Sequence, residues 1–273
     1  MGLLPTYYLG ALTLSGLNFN ISIYQMSYEI VTYANKSHGL FEELTNNEFN
    51  VPVKVLGWGT KWNGYSDKSR GLLEYMSTKK DDDIIIFIDG FDSKINKPID
   101  DKLLDIFKQY DCGVLLSRSV IKEKPLIYFI ERMFGKCGDY TGNAGMYMGY
   151  VKHLTMVLKD ELNMTCSNDQ VNLNTLCKRY DFIKVDSDEK IFKNFLPSST
   201  KEDTDAYFIS FPALPSFSRY MRGPQEYLQF FYLEIVLLLL IGGSLSPKYT
   251  RVLLGITMVL TLFYFFVADK SCV

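Results

Sequence analysis

Two aspartates follow a short, wholly apolar stretch in the first half of this 273-residue chain. The stretch Ile84–Ile88 reads IIIFI, and Asp89-Gly90-Phe91-Asp92 comes directly after it. Two carboxylates at the end of a buried strand can converge on one hard cation, and Mg²⁺ or Mn²⁺ there would bridge to a diphosphate. The same spacing is also common in a turn that leads into a helix N-cap. The motif by itself leaves both interpretations open.

The elements around this motif are predicted to alternate between strands and helices. We predict strands at residues 28–33, 51–56, 84–88 and 113–117, and helices from about residue 39, at 67–78 and at 100–110. This alternation is typical of an α/β fold with an open sheet of the nucleotide-binding type. Because every residue of Ile84–Ile88 is apolar, we expect it to be a central parallel strand. Ligands of such sheets bind beyond the carboxyl ends of the strands, where Asp89 and Asp92 lie.

Length and charge restrict the classes of protein to consider. A chain of 273 residues can hold one sizeable α/β domain plus an appendage. Its formal net charge of -2 provides no basic surplus to neutralise phosphates, so no nucleic-acid partner is expected.

The five cysteines show neither a Cys-x-x-Cys pair nor a zinc-site spacing. They could form one or two disulfides in an oxidising compartment, or serve as small buried residues. We interpret most of them as small buried residues. They are Cys112, Cys137, Cys166, Cys177 and Cys272.

The C-terminal part of the chain contains two apolar segments. Residues 227–241 carry Glu234 as their one charge, and residues 252–268 carry none. A Gly-Gly-Ser-Leu-Ser-Pro-Lys break separates them, so we predict a transmembrane helical hairpin. The first segment could instead be re-entrant or interfacial. Basic residues lie both before the first segment and in the turn, so they do not fix the orientation.

The N-terminal segment, residues 1–27, permits three interpretations. It resembles a weak signal sequence that lacks a positive n-region, and Gly2 with Thr6 fits a loose N-myristoylation pattern. It could also be an extension that precedes the folded domain. We expect a membrane-anchored protein, in an endomembrane (ER or Golgi) or a virion or host membrane, with the side of the domain left open.

Seven blocks, in order, resemble the glycosyltransferase domain of the lysyl hydroxylase (procollagen-lysine dioxygenase) multifunctional enzymes. They are IVTYAN, VKVLGWGTKWNG, DKSRGLLEYM, IIIFIDGFDS, GNAGMYMGY, SNDQ and VDSDEKIFKNF. Of these, GNAGMYMGY is similar to a turn in that family. The resemblance covers residues 28 to about 223 and implies a GT-A-like fold. It also implies transfer of a hexose from a UDP-sugar to hydroxylysine-linked acceptors.

The resemblance also implies roles for individual residues. Asp89 and Asp92 would bind the metal, and Asp169 and Gln170 would lie on the acceptor side as the catalytic residues. Asp169 is the best candidate to take up the proton of the acceptor hydroxyl. The remaining residues, around the nucleotide and the sugar, would be Thr32, Asn35, Trp62, Lys68, Phe91, Asn143, Ala144 and Gly145. For Trp62 an ordinary core aromatic, and for Asn143 a turn residue, are equally good interpretations.

Three positions depart from the family pattern. Phe91 replaces a tyrosine, so a stacking surface remains without its hydroxyl. One carboxylate, Asp169, remains of a run of three. The stretch 220–224 reads YMRGP and lacks the family's histidine, the third metal ligand, although Arg222 could hold the diphosphate directly.

These observations predict a metal-dependent hexosyltransferase that moves glucose or galactose from a UDP-sugar to a hydroxyl acceptor on a protein or glycan. Mn²⁺ or Mg²⁺ would be its cofactor, and no lysyl hydroxylation is expected. The alternative is an inactive GT-A-like membrane protein that binds sugar or protein. The expected organisation is an extension at 1–27, the transferase domain at 28–226, the membrane anchor at 227–268 and a tail at 269–273.

Overall fold

The computed structural model describes residues 28–119, 131–195, 203–212, 217–268 and 271–272, with side chains described from residue 228 onward in the first C-terminal helix. The predictions made for residues 1–27 lie outside the described residues. The strands are β1 (Tyr28–Tyr33), β2 (Val53–Leu56), β3 (Ile84–Ile88), β4 (Ser93–Ile95), β5 (Val114–Arg118), β6 (Gly142–Tyr150), β7 (Ile183–Val185), β8 (Phe192–Asn194) and β9 (Phe208–Ser210). The helices are α1 (Phe41–Thr45), α2 (Ser66–Met76), α3 (Lys102–Gln109), α4 (Val151–Leu162), α5 (Asp169–Leu176), α6 (Phe217–Leu245) and α7 (Thr250–Phe266).

The central sheet has six strands in the order β2-β1-β3-β6-β5-β7. Every residue of β3 is buried, which confirms the prediction of a central strand covered on both faces. Strands β1 and β3 are parallel, but β6 runs antiparallel to both β3 and β5. The prediction that β3 is a parallel strand is therefore correct on the edge that pairs with β1 and wrong on the edge that pairs with β6. A mixed α/β fold with a central sheet of this kind fits the GT-A-like class.

Strand β6 corrects a second prediction, because its residues resembled a turn. Its glycines serve close packing instead of chain reversal. A Cβ added at Gly149 would lie 2.6 Å from the carbonyl oxygen of Gly113 on the neighbouring segment. The register between β5 and β6 shifts between Leu116 and Ser117, and such irregularities often re-aim side chains next to active sites.

Helices cover both faces of the sheet. On one face, Leu72 of α2 and Leu154 of α4 pack with Phe87 of β3. On the other face, Leu103 and Phe107 of α3 pack with Ile84, Ile86 and Ile88 of β3. Burial of these apolar surfaces is the main force that holds the three layers together. The layers fix the carboxyl end of β3, where the acidic motif begins.

A smaller sheet, in the order β4-β9-β8, follows the acidic motif in space. Strand β4 starts at Ser93, directly after Asp92. The alternative interpretation of Asp92 as the cap of a following helix is therefore wrong. Asp92 instead lies where the chain passes from the central sheet into the small one.

Four of the five cysteines form disulfides, Cys137 with Cys177 and Cys166 with Cys272. Cys112 is free. The interpretation of most cysteines as small buried residues is therefore wrong. The partners are 40 and 106 residues apart in sequence, and only the folded chain brings them together.

Helices α6 and α7 pack side by side as an antiparallel pair. The ring of Tyr232 stacks on that of Tyr264 with centroids 4.0 Å apart, and its hydroxyl is 3.0 Å from the Thr261 hydroxyl. At the other end, the Thr250 hydroxyl donates to the Gly243 carbonyl oxygen at 2.7 Å. Within the described residues, the segment Leu228–Leu245 is long and apolar enough to cross a membrane, and α7 is a shorter apolar helix.

Candidate functional site

A pocket of about 110 Å³ opens at the carboxyl end of β3. Elements distant in sequence line it, because β3, β6 and the start of α5 meet there. The sequence-predicted residues that line this pocket are Lys68, Asp89, Asp92, Asn143, Ala144, Gly145, Asp169 and Gln170. The structure therefore places both proposed metal ligands and both proposed acceptor-side residues around one cavity.

Lys68 connects the two acidic sides of this pocket. Its Nζ lies 3.0 Å from Asp89 Oδ2 and 3.4 Å from Asp169 Oδ2, and its side chain is 13% exposed. Burial of the ammonium lowers the pKa of Lys68, but attraction by Asp89 and then Asp169 outweighs it, so the pKa is raised well above its usual value. Lys68 therefore remains a cation throughout the physiological range and holds the two carboxylates near each other.

Local hydrogen bonds orient the two aspartates of the acidic motif. Asp89 Oδ1 accepts from the Phe91 backbone N–H at 3.1 Å, while the Asp89 N–H donates to the Gly145 carbonyl oxygen at 2.7 Å. Asp92 Oδ1 accepts from the Ser210 hydroxyl of β9 at 3.1 Å. A Cβ added at Gly90 would lie 2.9 Å from Thr32 Oγ1, so the turn between the aspartates packs tightly on β1. The Asp89 carboxylate is thus positioned by the backbone of the turn, and the Asp92 carboxylate by Ser210 of β9.

The acceptor side is built on the N-terminus of α5. Asn168 caps this helix, since its Oδ1 accepts from the backbone N–H groups of Gln170 and Val171 at 3.1 and 3.2 Å. Asp169 is the first residue of the helix and faces the pocket. Further along α5, Asn174 Oδ1 accepts from the Gly142 N–H at 2.7 Å, which fastens the helix to β6. The position of Asp169 is therefore fixed relative to β6.

Asn143 belongs to strand β6, so its interpretation as a turn residue is wrong. Its Oδ1 accepts from the Gly145 N–H at 2.7 Å. A Cβ added at Gly145 would lie 2.8 Å from that same oxygen, so a glycine is needed for this local contact. The contact holds the Asn143 side chain against the strand at the rim of the pocket.

Four sequence-predicted residues do not line this pocket. Thr32 is fully buried at the end of β1, and its hydroxyl has no hydrogen-bond partner among the described residues. Asn35 donates from Nδ2 to the Thr60 carbonyl oxygen at 3.2 Å and so steadies the glycine-rich loop after β2. Phe91 meets the His38 ring edge-on at 5.6 Å between centroids. The fourth residue, Trp62, lies in a separate groove.

Trp62 lies in a neighbouring groove of about 540 Å³. It is 36% exposed, which excludes an ordinary core position, and its ring contacts those of Tyr33 and Tyr65 at 6.0 and 6.1 Å. Tyr65 lines both the groove and the pocket, so the two cavities adjoin.

Sequence reasoning missed several residues of the pocket wall. They are Tyr65, Phe134, Asn168, Ser210 and Pro212. Asn168 lies within the quoted block SNDQ, and Tyr65 lies between two quoted blocks and could have been found from its position between Trp62 and Lys68. Phe134, Ser210 and Pro212 come from separate segments, and nothing in their own sequence shows that they would meet at β3.

The candidate ligands for a divalent cation are the carboxylates of Asp89 and Asp92. Among the described residues, no group of three or more His, Cys, Asp or Glu side chains is arranged to hold a metal. Mg²⁺ is usually bound by one or two carboxylates together with substrate phosphates and water. Asp89 and Asp92 therefore fit an ion that is held jointly with a diphosphate. The side chains of residues 220–224 lie outside the described residues, so the role of Arg222 stays a prediction.

Glu161 of α4 lies buried beneath this site and yields a testable prediction. Its Oε1 accepts a hydrogen bond from Asn172 Nδ2 at 3.4 Å, but its second oxygen, Oε2, has no hydrogen-bond partner among the described residues. Burial raises the pKa of Glu161 above its usual value and repulsion by Asp169 adds to this, while hydrogen bonding to Ser69 and Asn172 only partly offsets the increase. The folded protein therefore binds a proton there that the unfolded chain releases, and stability falls as pH rises above about 4.5.

We expect Glu161→Gln to increase the free energy of unfolding at pH 7.5 by about 1 kcal/mol, because it removes an incompletely paired buried charge. The gain should disappear below about pH 4, where the wild-type carboxyl is protonated in both states. Denaturant unfolding at pH 4 and 7.5 measures it, with the exposed Glu43→Gln as control. An equal effect of Glu161→Gln at both pH values would contradict the assignment.

The central mixed sheet and the acidic pocket at the end of β3 fit a glycosyltransferase-like α/β domain. Comparison with known families agrees: the family model described as the PLOD GT domain matches residues 25–206. The chain therefore belongs to the PLOD glycosyltransferase-domain family, which confirms the resemblance found in the sequence.

A similar protein is the multifunctional procollagen lysine hydroxylase and glycosyltransferase of Caenorhabditis elegans. The two are 27% identical over 184 residues, which cover 59% of this chain and 24% of that protein. The chain thus matches about a quarter of the length of this relative.

Proposed function

We propose that this protein is a metal-dependent hexosyltransferase that moves glucose or galactose from a UDP-sugar to a hydroxyl acceptor. The observation that carries the proposal is the convergence of Asp89, Asp92, Lys68 and Asp169 on one pocket of a glycosyltransferase-family domain. The name of the C. elegans relative includes glycosyltransferase, which agrees with this activity. A hydroxylysine-linked hydroxyl on protein is the acceptor that the family membership favours.

Each residue around the pocket has a proposed task. Asp89 and Asp92 would bind Mn²⁺ or Mg²⁺, which neutralises charge on the departing diphosphate when it is bound. Asp169, at the start of α5, accepts the proton of the acceptor hydroxyl, and Gln170 beside it orients that hydroxyl. Lys68 keeps Asp89 and Asp169 at a fixed separation through its two ion pairs. Asn143, Ala144 and Gly145 form the wall against the sugar.

The direct test is a UDP-release assay on the purified full chain with UDP-glucose, UDP-galactose and other nucleotide sugars, with and without Mn²⁺. Release that depends on Mn²⁺ and on one of the two hexoses is the expected result. Binding of UDP without turnover of any donor, across protein and glycan acceptors, would instead identify a binding protein that has lost activity.

The nucleotide is proposed to lie on the β1 side of the pocket, against Asn35, Phe91 and Trp62, with the fully buried Thr32 behind them. We expect Trp62→Phe to weaken UDP binding several-fold, since a smaller ring leaves part of the contact surface uncovered. The melting temperature should change little, because Trp62 is already 36% exposed.

Calorimetric titration of UDP, together with thermal unfolding, tests this role. Trp58→Phe is the matched control, because Trp58 is 55% exposed, stacks on Phe41 at 5.1 Å between ring centroids, and lines neither the pocket nor the groove. An unchanged UDP affinity with a lowered melting temperature would show that Trp62 only packs against Tyr33 and Tyr65.

We propose further that α6 and α7 anchor the protein in a membrane. Their exposed surface is rich in leucine and aromatic side chains, with Leu238 70% and Phe266 82% exposed. Such surface is unfavourable in water and favourable in hydrocarbon. Retention of the full chain in the pellet after alkaline carbonate extraction is the expected result, and its release into the supernatant would contradict the anchor.

A further inference from the structure

The tail after α7 returns to the loop that precedes the acceptor side of the pocket. Cys272 forms its disulfide with Cys166, three residues before Asp169. Beside this bond, the Ser167 backbone N–H donates to the Ser271 hydroxyl oxygen at 2.8 Å. Three residues of chain span at most about 11 Å, so Asp169 lies close to the point of attachment. The tail is thus joined to the site both covalently and by hydrogen bonds.

The first apolar helix meets the domain at the same place. Gln229 Oε1 accepts from the Cys272 N–H at 3.3 Å. Further along α6, Glu234 forms an ion pair with Arg132, whose guanidinium lies 5.4 Å from the centre of the Phe231 ring. Arg132 is two residues from Phe134, which lines the pocket. The base of the helix pair is therefore attached close in sequence to two of the segments that line the pocket.

Beyond this base, the two helices expose apolar side chains on every face that is not packed against the other helix. Leu237, Leu238, Leu240 and Ile241 are each at least 41% exposed, and such closely spaced positions point to several faces of one helix. A docking site for another helix or protein would leave a single apolar stripe, whereas a surface that is apolar all round fits lipid. The 18 residues of Leu228–Leu245 span about 27 Å, and the 11 residues beyond Glu234, which extend away from the domain, span about 17 Å.

Polar and aromatic side chains mark the two ends of the pair. Tyr232, Tyr264 and Phe265 cluster at the end next to the domain, where aromatic residues commonly meet the membrane interface. The turn at the other end carries Lys248 and Arg251. Basic residues in short loops favour the cytoplasmic side of a membrane, but Arg219 and Arg222 at the start of α6 give the opposite signal, so the orientation is inferred from the disulfides. Disulfides, in turn, persist on the oxidising side.

We propose that α6 and α7 enter the bilayer from its oxidising face, with the turn around Lys248 directed toward the reducing face, and that the Cys166–Cys272 disulfide joins the acceptor side of the pocket to the membrane anchor. The inference rests on the membrane anchoring proposed above. It defines the acceptor class further: a hydroxyl presented at the membrane surface on the oxidising side, on a protein or glycan held there.

The covalent link is tested by cutting the full chain between the two cysteines. A site-specific protease sequence inserted between residues 198 and 199 separates Cys166 from Cys272 and leaves Cys137 and Cys177 on one fragment. After cleavage in detergent, the two fragments should run as one band on a denaturing gel without reductant and as two bands with reductant. Cys272→Ser should separate them in both conditions, and Cys112→Ser, which alters the free cysteine, should behave as wild type. Separation of the unsubstituted fragments without reductant would overturn the link.

The orientation is tested on sealed microsomes from cells that express the full chain. We expect the domain to resist added protease until detergent opens the vesicles. Digestion of the domain in intact vesicles would overturn the orientation. Neither measurement involves sugar transfer. A chain that passes both tests but releases no UDP would disprove the proposed activity alone. A chain that releases UDP but fails both tests would disprove the attachment alone.

Discussion

Replacing Asp89 by asparagine is expected to abolish the coupling between Mn²⁺ and UDP and to lower sugar transfer by a factor of about 10² to 10³. With two protein carboxylates available, the ion completes its coordination with diphosphate oxygens, so each ligand should strengthen the binding of the other. In the wild-type protein, Mn²⁺ should therefore raise UDP affinity at least about tenfold. An amide offers a neutral oxygen, so Asp89→Asn and Asp92→Asn should each reduce this factor to near one.

Calorimetric titration of UDP with and without Mn²⁺ measures the coupling directly. Asp82→Asn is the matched control, since Asp82 is an exposed carboxylate on the entry to β3 that pairs with Lys152 at 3.4 Å. It should bind Mn²⁺ and UDP as the wild type does. Equal UDP affinity with and without Mn²⁺ in the unsubstituted protein would show that Asp89 and Asp92 are not metal ligands.

Replacing Lys68 by methionine is expected to lower the free energy of unfolding by about 3 kcal/mol, because it leaves Asp89 and Asp169 without their shared cation. Since the raised pKa of Lys68 keeps it charged, this loss should be constant between pH 6 and 9. The ion pairs contribute fully below the unfolded pKa of about 10.4, and the difference should shrink only as pH rises above it. Transfer should fall as well, because Asp169 is no longer positioned.

A second readout separates positioning from simple stability. Without Lys68, a divalent cation is the available counter-charge for Asp89, so Mn²⁺ alone should raise the melting temperature of Lys68→Met more than that of the wild type. Lys152→Met removes an exposed ion pair and should cost less than about 1 kcal/mol without any change in the Mn²⁺ effect. If Lys68→Met is as stable as Lys152→Met, the ion pairs of Lys68 do not support the pocket.

Local sequence features predicted the main parts of the domain. Ile84–Ile88 is a buried central strand with the bounds expected from its apolar run, because a strand covered on both faces needs no alternation of polar residues. The order of the matched blocks predicted the family, and the family comparison confirms it. The helix at Ser66–Met76 differs from the predicted range by one to two residues at its ends, where local propensity is weak.

Other features depended on which distant segments meet. The residues of β6 contain the glycines of a turn, yet the neighbouring strands β3 and β5 offer them backbone partners on both sides. Cysteine composition alone did not show pairs separated by 40 and 106 residues. Thr32 is buried and Phe91 meets the His38 ring, so neither lines the pocket, although the resemblance placed both beside the nucleotide.

The sequence by itself thus determined the central strand, the two aspartates that follow it and the family. Each of these depends on neighbouring residues along the chain, whose hydrophobicity and spacing are visible without a fold. The tertiary structure alone decided that Lys68 lies between Asp89 and Asp169, which are 21 and 101 residues away, and that the tail is fastened beside the pocket. Such contacts follow the path of the whole chain, because packing of the two sheet faces fixes which remote side chains meet.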